Sequence, residues 1–108
     1  MYLILWEFLV LSGKENAFEQ EYGPEGCWVR LFRQSTGYRG TELVREVENP
    51  RRYLTLDRWE SREVYERFRE QHRELYSALD KSCEALTERE VLLGNFESTR
   101  ESGASFNV

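Results

Sequence analysis

The run Arg52-Tyr53-Leu54-Thr55-Leu56-Asp57-Arg58-Trp59-Glu60-Ser61 constrains this chain more than any other, because a period-two pattern ends at Trp59 and a helical pattern begins almost at once. A strand must therefore feed directly into a helix. Ser61 is placed to cap that helix, and Glu63 follows early enough to meet the positive end of its dipole. If the strand is central, Trp59 lies at the rim of the sheet beside the helix start, where small α+β domains open ligand pockets.

The flanking segments alternate in type. Residues 2 to 11 are apolar on nearly both faces, with Trp6, Phe8 and Val10 on one and Leu5, Glu7 and Leu9 on the other, which reads as a central strand. Ser12-Gly13 ends it. Ala17, Phe18 and Tyr22 then recur at helical spacing until Gly23-Pro24 breaks the helix, and a second piece from Glu25 carries a stripe of Trp28, Leu31, Phe32 and Ser35 that closes at Thr36-Gly37. Tyr38 to Val47 alternates as a strand with a partly wet face. The turn Glu48-Asn49-Pro50 pairs it with the 52–59 strand as an antiparallel hairpin, Pro50 staying in the loop. Val64, Phe68, His72, Leu75, Leu79, Cys83 and Leu86 then form an amphipathic stripe over 62–86, long enough for a bend near its middle. Glu88 to Glu97 reads as a last strand, making 1–98 one domain, and 99–108 is a polar tail.

Strand, helix, strand, strand, helix, strand is the split βαββαβ order of ferredoxin-like α+β domains, with one four-stranded antiparallel sheet. Two helices cover one face of such a sheet. Leu5, Leu9, Leu43 and Leu54 are the apolar candidates for the other, and a homodimer packed sheet to sheet would bury them.

Composition removes several function classes. The 108 residues suffice for one core, and 40% hydrophobic residues with 14% aromatics exclude a disordered chain. A net charge of −5, with Arg interleaved among Glu, disfavours nucleic acid, which needs a clustered positive surface. Cys27 and Cys83 have no CxxC partner, so neither a zinc ribbon nor a disulfide framework is expected, and reduced thiols point to a cytoplasmic protein. The apolar run 2–11 is interrupted by Glu7 and is too short to span a membrane. No nucleophile elbow, phosphate loop or metal-spaced motif is present, so no metal or cofactor is expected.

The segment Gly37-Tyr38-Arg39-Gly40-Thr41-Glu42-Leu43, the run 52–61 and the stretch from His72 to Leu86 together resemble the antibiotic biosynthesis monooxygenase family, over roughly residues 3 to 97. The resemblance implies a dimeric α+β barrel with a pocket between sheet and helices in each subunit. It also implies a choice of chemistries, since the family holds cofactor-independent oxygenases of phenols and quinols as well as haem-degrading enzymes. The haem-degrading branch uses an Asn on the first strand and a Trp and a His on the long second helix. Those positions fall here on Trp6, near Phe68 and near Ala78, which argues against that branch.

A cofactor-free oxygenase acting on a small aromatic molecule is the remaining implication. It needs a pocket that deprotonates an electron-rich phenol and lets the anion reduce oxygen. Trp59 could stack on the ring, His72 could act as base, and Arg58 or Tyr65 could steady a phenolate. Trp6, Phe8, Tyr22, Trp28, Phe32 and Phe68 are the candidate pocket walls. The same aromatics would equally fill the core of a non-catalytic dimeric ligand-binding or structural module. An internal cavity reached by His72 favours the first reading, whereas a filled interior with His72 bonded to main chain favours the second.

Overall fold

In the computed structural model, described over residues 1–99, four strands form one antiparallel sheet in the order β2-β3-β1-β4. Helices pack on one face of it. The strands are β1 (Tyr2–Val10), β2 (Tyr38–Arg45), β3 (Arg52–Trp59) and β4 (Thr87–Glu97), and the helices are α1 (Glu15–Tyr22), α2 (Cys27–Phe32), α3 (Arg62–Gln71) and α4 (Arg73–Cys83), followed by a 3-10 turn over Glu84–Leu86. This is the ferredoxin-like α+β arrangement, with β1 and β3 as the inner strands. The polar tail expected over 99–108 lies, apart from Thr99, outside the described residues.

Each boundary has a local cause. Ser61 caps α3 as its sequence position suggests, its hydroxyl accepting the Val64 N–H at 3.2 Å. The bend in the long helical stripe falls at His72, whose φ of −119° and ψ of 28° end α3 and start α4. That bend rephases the stripe. Leu75, expected inside, is 57% exposed, and Tyr76 turns inward instead to pack on Trp28.

The core is a layer of rings between β1, β3 and the helices. Tyr2, Ile4, Phe8 and Val10 from β1 and Tyr53, Thr55, Asp57 and Trp59 from β3 point to the helices and are buried. Trp59, fully buried, touches Phe32, Tyr38, Tyr65 and Phe68 at ring-centre separations of 5.1 to 5.3 Å. Such tilted and edge-on packing adds to the area term of hydrophobic burial.

The other sheet face carries Leu3, Leu5 and Leu9 beside Leu54 and Leu56, all half-buried without a helix above them. Leu43 does not belong to that face. It pairs with Thr55 on the helix side and packs against the core, while Val44, paired with Leu54, takes the outer position. A bulge in β2 explains the outcome. Tyr38 pairs with Trp59 and Thr41 with Asp57, so β2 spends one more residue than β3 between these pairs. Gly40, at φ +114°, supplies the backbone that the bulge needs.

Candidate active site

Between the sheet and the helices lies a hollow of about 230 Å³. Trp6 and Phe8 of β1 line it, with Tyr22 of α1, Trp28 and Phe32 of α2, and Tyr76 of α4. Thr41, Thr55 and Asp57 contribute from the sheet, and Arg69, Asp80 and Glu90 complete the lining. Aromatic walls with a few convergent polar groups suit a planar, partly polar small molecule.

Asp57 is the chemical centre of this hollow. It sits on an inner strand, 7% exposed, and its Oδ1 accepts a hydrogen bond from Thr41 Oγ1 at 2.6 Å. The Thr41 oxygen lies 2.5 Å from the Tyr38 hydroxyl. Because the one Thr41 proton goes to Asp57, Tyr38 must donate to Thr41, which gives a chain from Tyr38 through Thr41 to Asp57. Burial pushes the Asp57 carboxyl up to about 6, outweighing the Thr41 hydrogen bond, which pulls the other way. A carboxylate with that value is mostly ionised at neutral pH yet still basic enough to accept a proton.

The chain depends on the β2 bulge, since three-residue spacing in a regular strand would send Tyr38 and Thr41 to opposite faces. Gly40→Ala has open space for its methyl group but a backbone that an L side chain resists. We expect a loss of about 1–2 kcal/mol in denaturant unfolding, the usual cost of that conformation.

The remaining charges are set around the aromatic walls. The Arg69 guanidinium lies 3.8 Å from the centre of the Tyr76 ring and donates to the Tyr65 hydroxyl at 3.0 Å. Burial raises the Tyr76 hydroxyl pKa most, so it stays protonated. Glu90 is also raised, first by burial and then by the nearby Asp80 and Glu84 charges. The Trp28 indole N–H is buried with no acceptor in hydrogen-bonding geometry among the described residues, although the Tyr22 hydroxyl is close enough to sense it.

Of the residues singled out from sequence, Trp6, Phe8, Tyr22, Trp28 and Phe32 are gathered at the hollow, whereas Phe68, Trp59, Tyr65, Arg58 and His72 are not on its lining. Phe68 stacks against Trp59 and His72 in the core. Tyr65 packs on Trp59 and meets the lining of the hollow through its bond from Arg69 and its contact with the Tyr76 hydroxyl. Arg58 pairs with Glu42 at 3.3 Å. His72 bonds through Nδ1 to the Phe68 carbonyl and through Nε2 to Gln34 Oε1, each at 3.1 Å. His72→Ala should therefore cost about 1 kcal/mol in unfolding experiments, the worth of lost hydrogen bonds at a helix junction, and leave ligand affinity at the hollow unchanged.

Asp57, Thr41, Arg69 and Tyr76 were absent from that set. Asp57 had a readable signal, since it shares the parity of Tyr53 and Trp59 and is therefore an acid on a buried face. A further cluster comes together unannounced by spacing: the ligand atoms of Glu21, Cys27 and Cys83 all lie within 4.8 Å of one another. Cys27 donates to the Glu21 carboxylate, and burial with that contact pushes its thiol up to about 12.

The fold and the hollow define a ferredoxin-like α+β protein with an aromatic-lined hollow under its helices. The model of the antibiotic biosynthesis monooxygenase family matches residues 1–73, and the chain belongs to that family. No curated protein matches the sequence. Among solved structures, a variant of SnoaB, a cofactor-independent oxygenase from Streptomyces nogalater, is similar with a TM-score of 0.76 at 17% identity, over 92% of this chain and 93% of that one. Protein PA3566 from Pseudomonas aeruginosa is similar at TM-score 0.66 and 15% identity, over 92% and 94% of the two chains. A variant of MhuD with two manganese protoporphyrin IX molecules bound per active site gives 0.70 at 19%, over 95% and 99%. No described helix is long and apolar enough to cross a membrane.

Proposed function

We propose that this protein is a cytoplasmic, homodimeric, cofactor-independent monooxygenase of a small phenol- or quinol-like aromatic. The observation that carries the reading is Asp57, a near-neutral carboxylate on the floor of an aromatic hollow. Family membership and the described activity of SnoaB support it.

The ring would lie between the Trp6, Phe8, Trp28 and Phe32 side chains, with Asp57 accepting the proton of its hydroxyl. The resulting anion gives one electron to O2, and the radical pair joins at a ring carbon as a peroxide. The proton held by Asp57 passes to the peroxide, and loss of water then leaves a carbonyl, so one oxygen atom enters the product, the other departs in water, and the two hydrogens of that water come one from the substrate hydroxyl and one from the ring carbon. Arg69 stabilises the anion.

Proton affinities narrow the substrate. An ordinary phenol near pKa 10 lies about four units above Asp57, a gap of roughly 5 kcal/mol. Arg69 would have to offset all of it for a simple phenol. Quinols acidified by a neighbouring carbonyl, and anthrones, need less help.

Chelator-treated protein should take up oxygen with members of a hydroquinone and anthrone panel, at one O2 per substrate, and Asp57→Asn should abolish most of it. Uptake with no member of the panel contradicts the enzymatic reading in favour of a ligand-binding module. The structure gives haem degradation less support, since neither His nor Cys lines the hollow.

The homodimer rests on the outer sheet face. Leu54 and Leu56 lie there beside Leu5, with Glu7 held between Arg52, at 2.5 Å, and Arg89, at 3.6 Å. A charge at its centre should split a pair of chains packed through this face. Leu54→Glu should run as a monomer in light scattering where the wild type runs as a dimer.

A further inference from the structure

We propose that Glu21, Cys27 and Cys83 form a binding site for one divalent cation of the zinc class, separate from the aromatic hollow, with solvent in the fourth position. The three side chains come from the last turn of α1, the first residue of α2 and the last residue of α4. None of them lines the hollow.

The distances admit an ion. Zinc binds thiolate at about 2.3 Å and carboxylate at about 2.0–2.2 Å, so ligand atoms around one ion stand less than about 4.6 Å apart. Here all three lie within 4.8 Å of one another, so a few tenths of an ångström of side-chain closure brings them to that range. Two sulfurs and one carboxylate select a borderline-soft cation over magnesium or calcium, which take oxygen ligands.

The backbone is shaped for this meeting. The Gly23-Pro24-Glu25-Gly26 turn folds α2 back onto the end of α1 so tightly that a Cβ on Gly26 would stand 2.2 Å from the Glu21 carbonyl oxygen and 2.5 Å from that of Gln20. Only glycine fits there, and the close approach sets Cys27 against Glu21. Two helix C-terminal ends, those of α1 and α4, converge on the cluster with the first turn of α2; α1 has no basic residue in its last turn, and α4 has Lys81.

Cys27 Sγ donates to the Glu21 carboxylate, and the ion would take the place of that proton. Binding releases both thiol protons to solvent and forms two metal–sulfur bonds and one metal–oxygen bond, with no change of oxidation state. The ion would tie the α1–α2 turn to the end of α4, directly behind Tyr22 and Trp28 of the hollow wall.

Titration of the reduced, chelator-treated full chain with Cd2+, followed by near-ultraviolet thiolate-to-metal charge transfer, tests the site. The expected result is a band that saturates at one Cd2+ per chain, is displaced by Zn2+, and disappears in Cys27→Ser, a half-exposed position that should retain the fold. Glu21→Gln should keep the band but bind about tenfold or more weakly. No saturable band in the wild type, a band that survives Cys27→Ser, or wild-type affinity in Glu21→Gln would each overturn the assignment. These readouts do not involve oxygen uptake, so they stand or fall apart from the oxygenase reading.

Discussion

Asp57→Asn should make the protein more stable and nearly inactive. The wild-type carboxyl titrates near 6 when folded and near 3.8 when unfolded. Below about pH 4 both states hold the proton, and it does not affect the balance. As pH rises from there through 6, the unfolded chain releases a proton that the folded chain keeps, so stability falls across that window. A shift of about two units corresponds to roughly 3 kcal/mol, lost in full at neutral pH. Asparagine removes this cost and still offers an oxygen to Thr41. Chemical unfolding at pH 7 should show a gain of about 1–3 kcal/mol, shrinking towards zero at pH 4, while turnover falls by about 10²–10⁴ for want of a base. A residue retained only for packing would show no such opposition between stability and activity.

The second large effect is expected at Trp59. Its side chain is fully buried among four other rings, and its indole N–H has no acceptor in hydrogen-bonding geometry among the described residues. Trp59→Ala should cost about 3–5 kcal/mol through lost burial and the cavity left behind, enough to threaten folding of a domain this small. Trp59→Phe keeps most of the packing, and it should fold and bind aromatic ligands within about twofold of wild type, as expected of a core residue. A selective loss of binding in Trp59→Phe, with stability unchanged, would put Trp59 in direct contact with the substrate.

These two residues show what the sequence could and could not reveal. The element order was legible because hydrophobic periodicity changes from two to about 3.6 at Trp59 and back again near Thr87, and Ser61 marks the join. The aromatic walls were legible too, since Trp6 and Phe8 share a strand face and Trp28 and Phe32 a helix turn. The polar centre was harder to see. Asp57 carries a parity signal, but its partner Thr41 and the more distant Tyr38 reach one face only through a bulge that no local pattern announces. Tyr76 was hidden by the bend at His72, which moves the inward stripe by one position. His72 drew attention as the chain's only histidine, a fact of composition that carries no information about where the ring points. Cys27 and Cys83 are distant in sequence, and only the tight turn at Gly26 and the end of α4 bring them to Glu21.

The central claim is that Asp57 takes the substrate proton within the hollow. Its most direct test is kcat/KM for oxygen uptake as a function of pH, measured on a responsive quinol or anthrone with wild type and Asp57→Asn. The account predicts a wild-type rate that rises with pH through about 6 and levels off, and a residual Asp57→Asn rate without that limb. A limb that persists unchanged in Asp57→Asn, or a variant as fast as wild type, would contradict it.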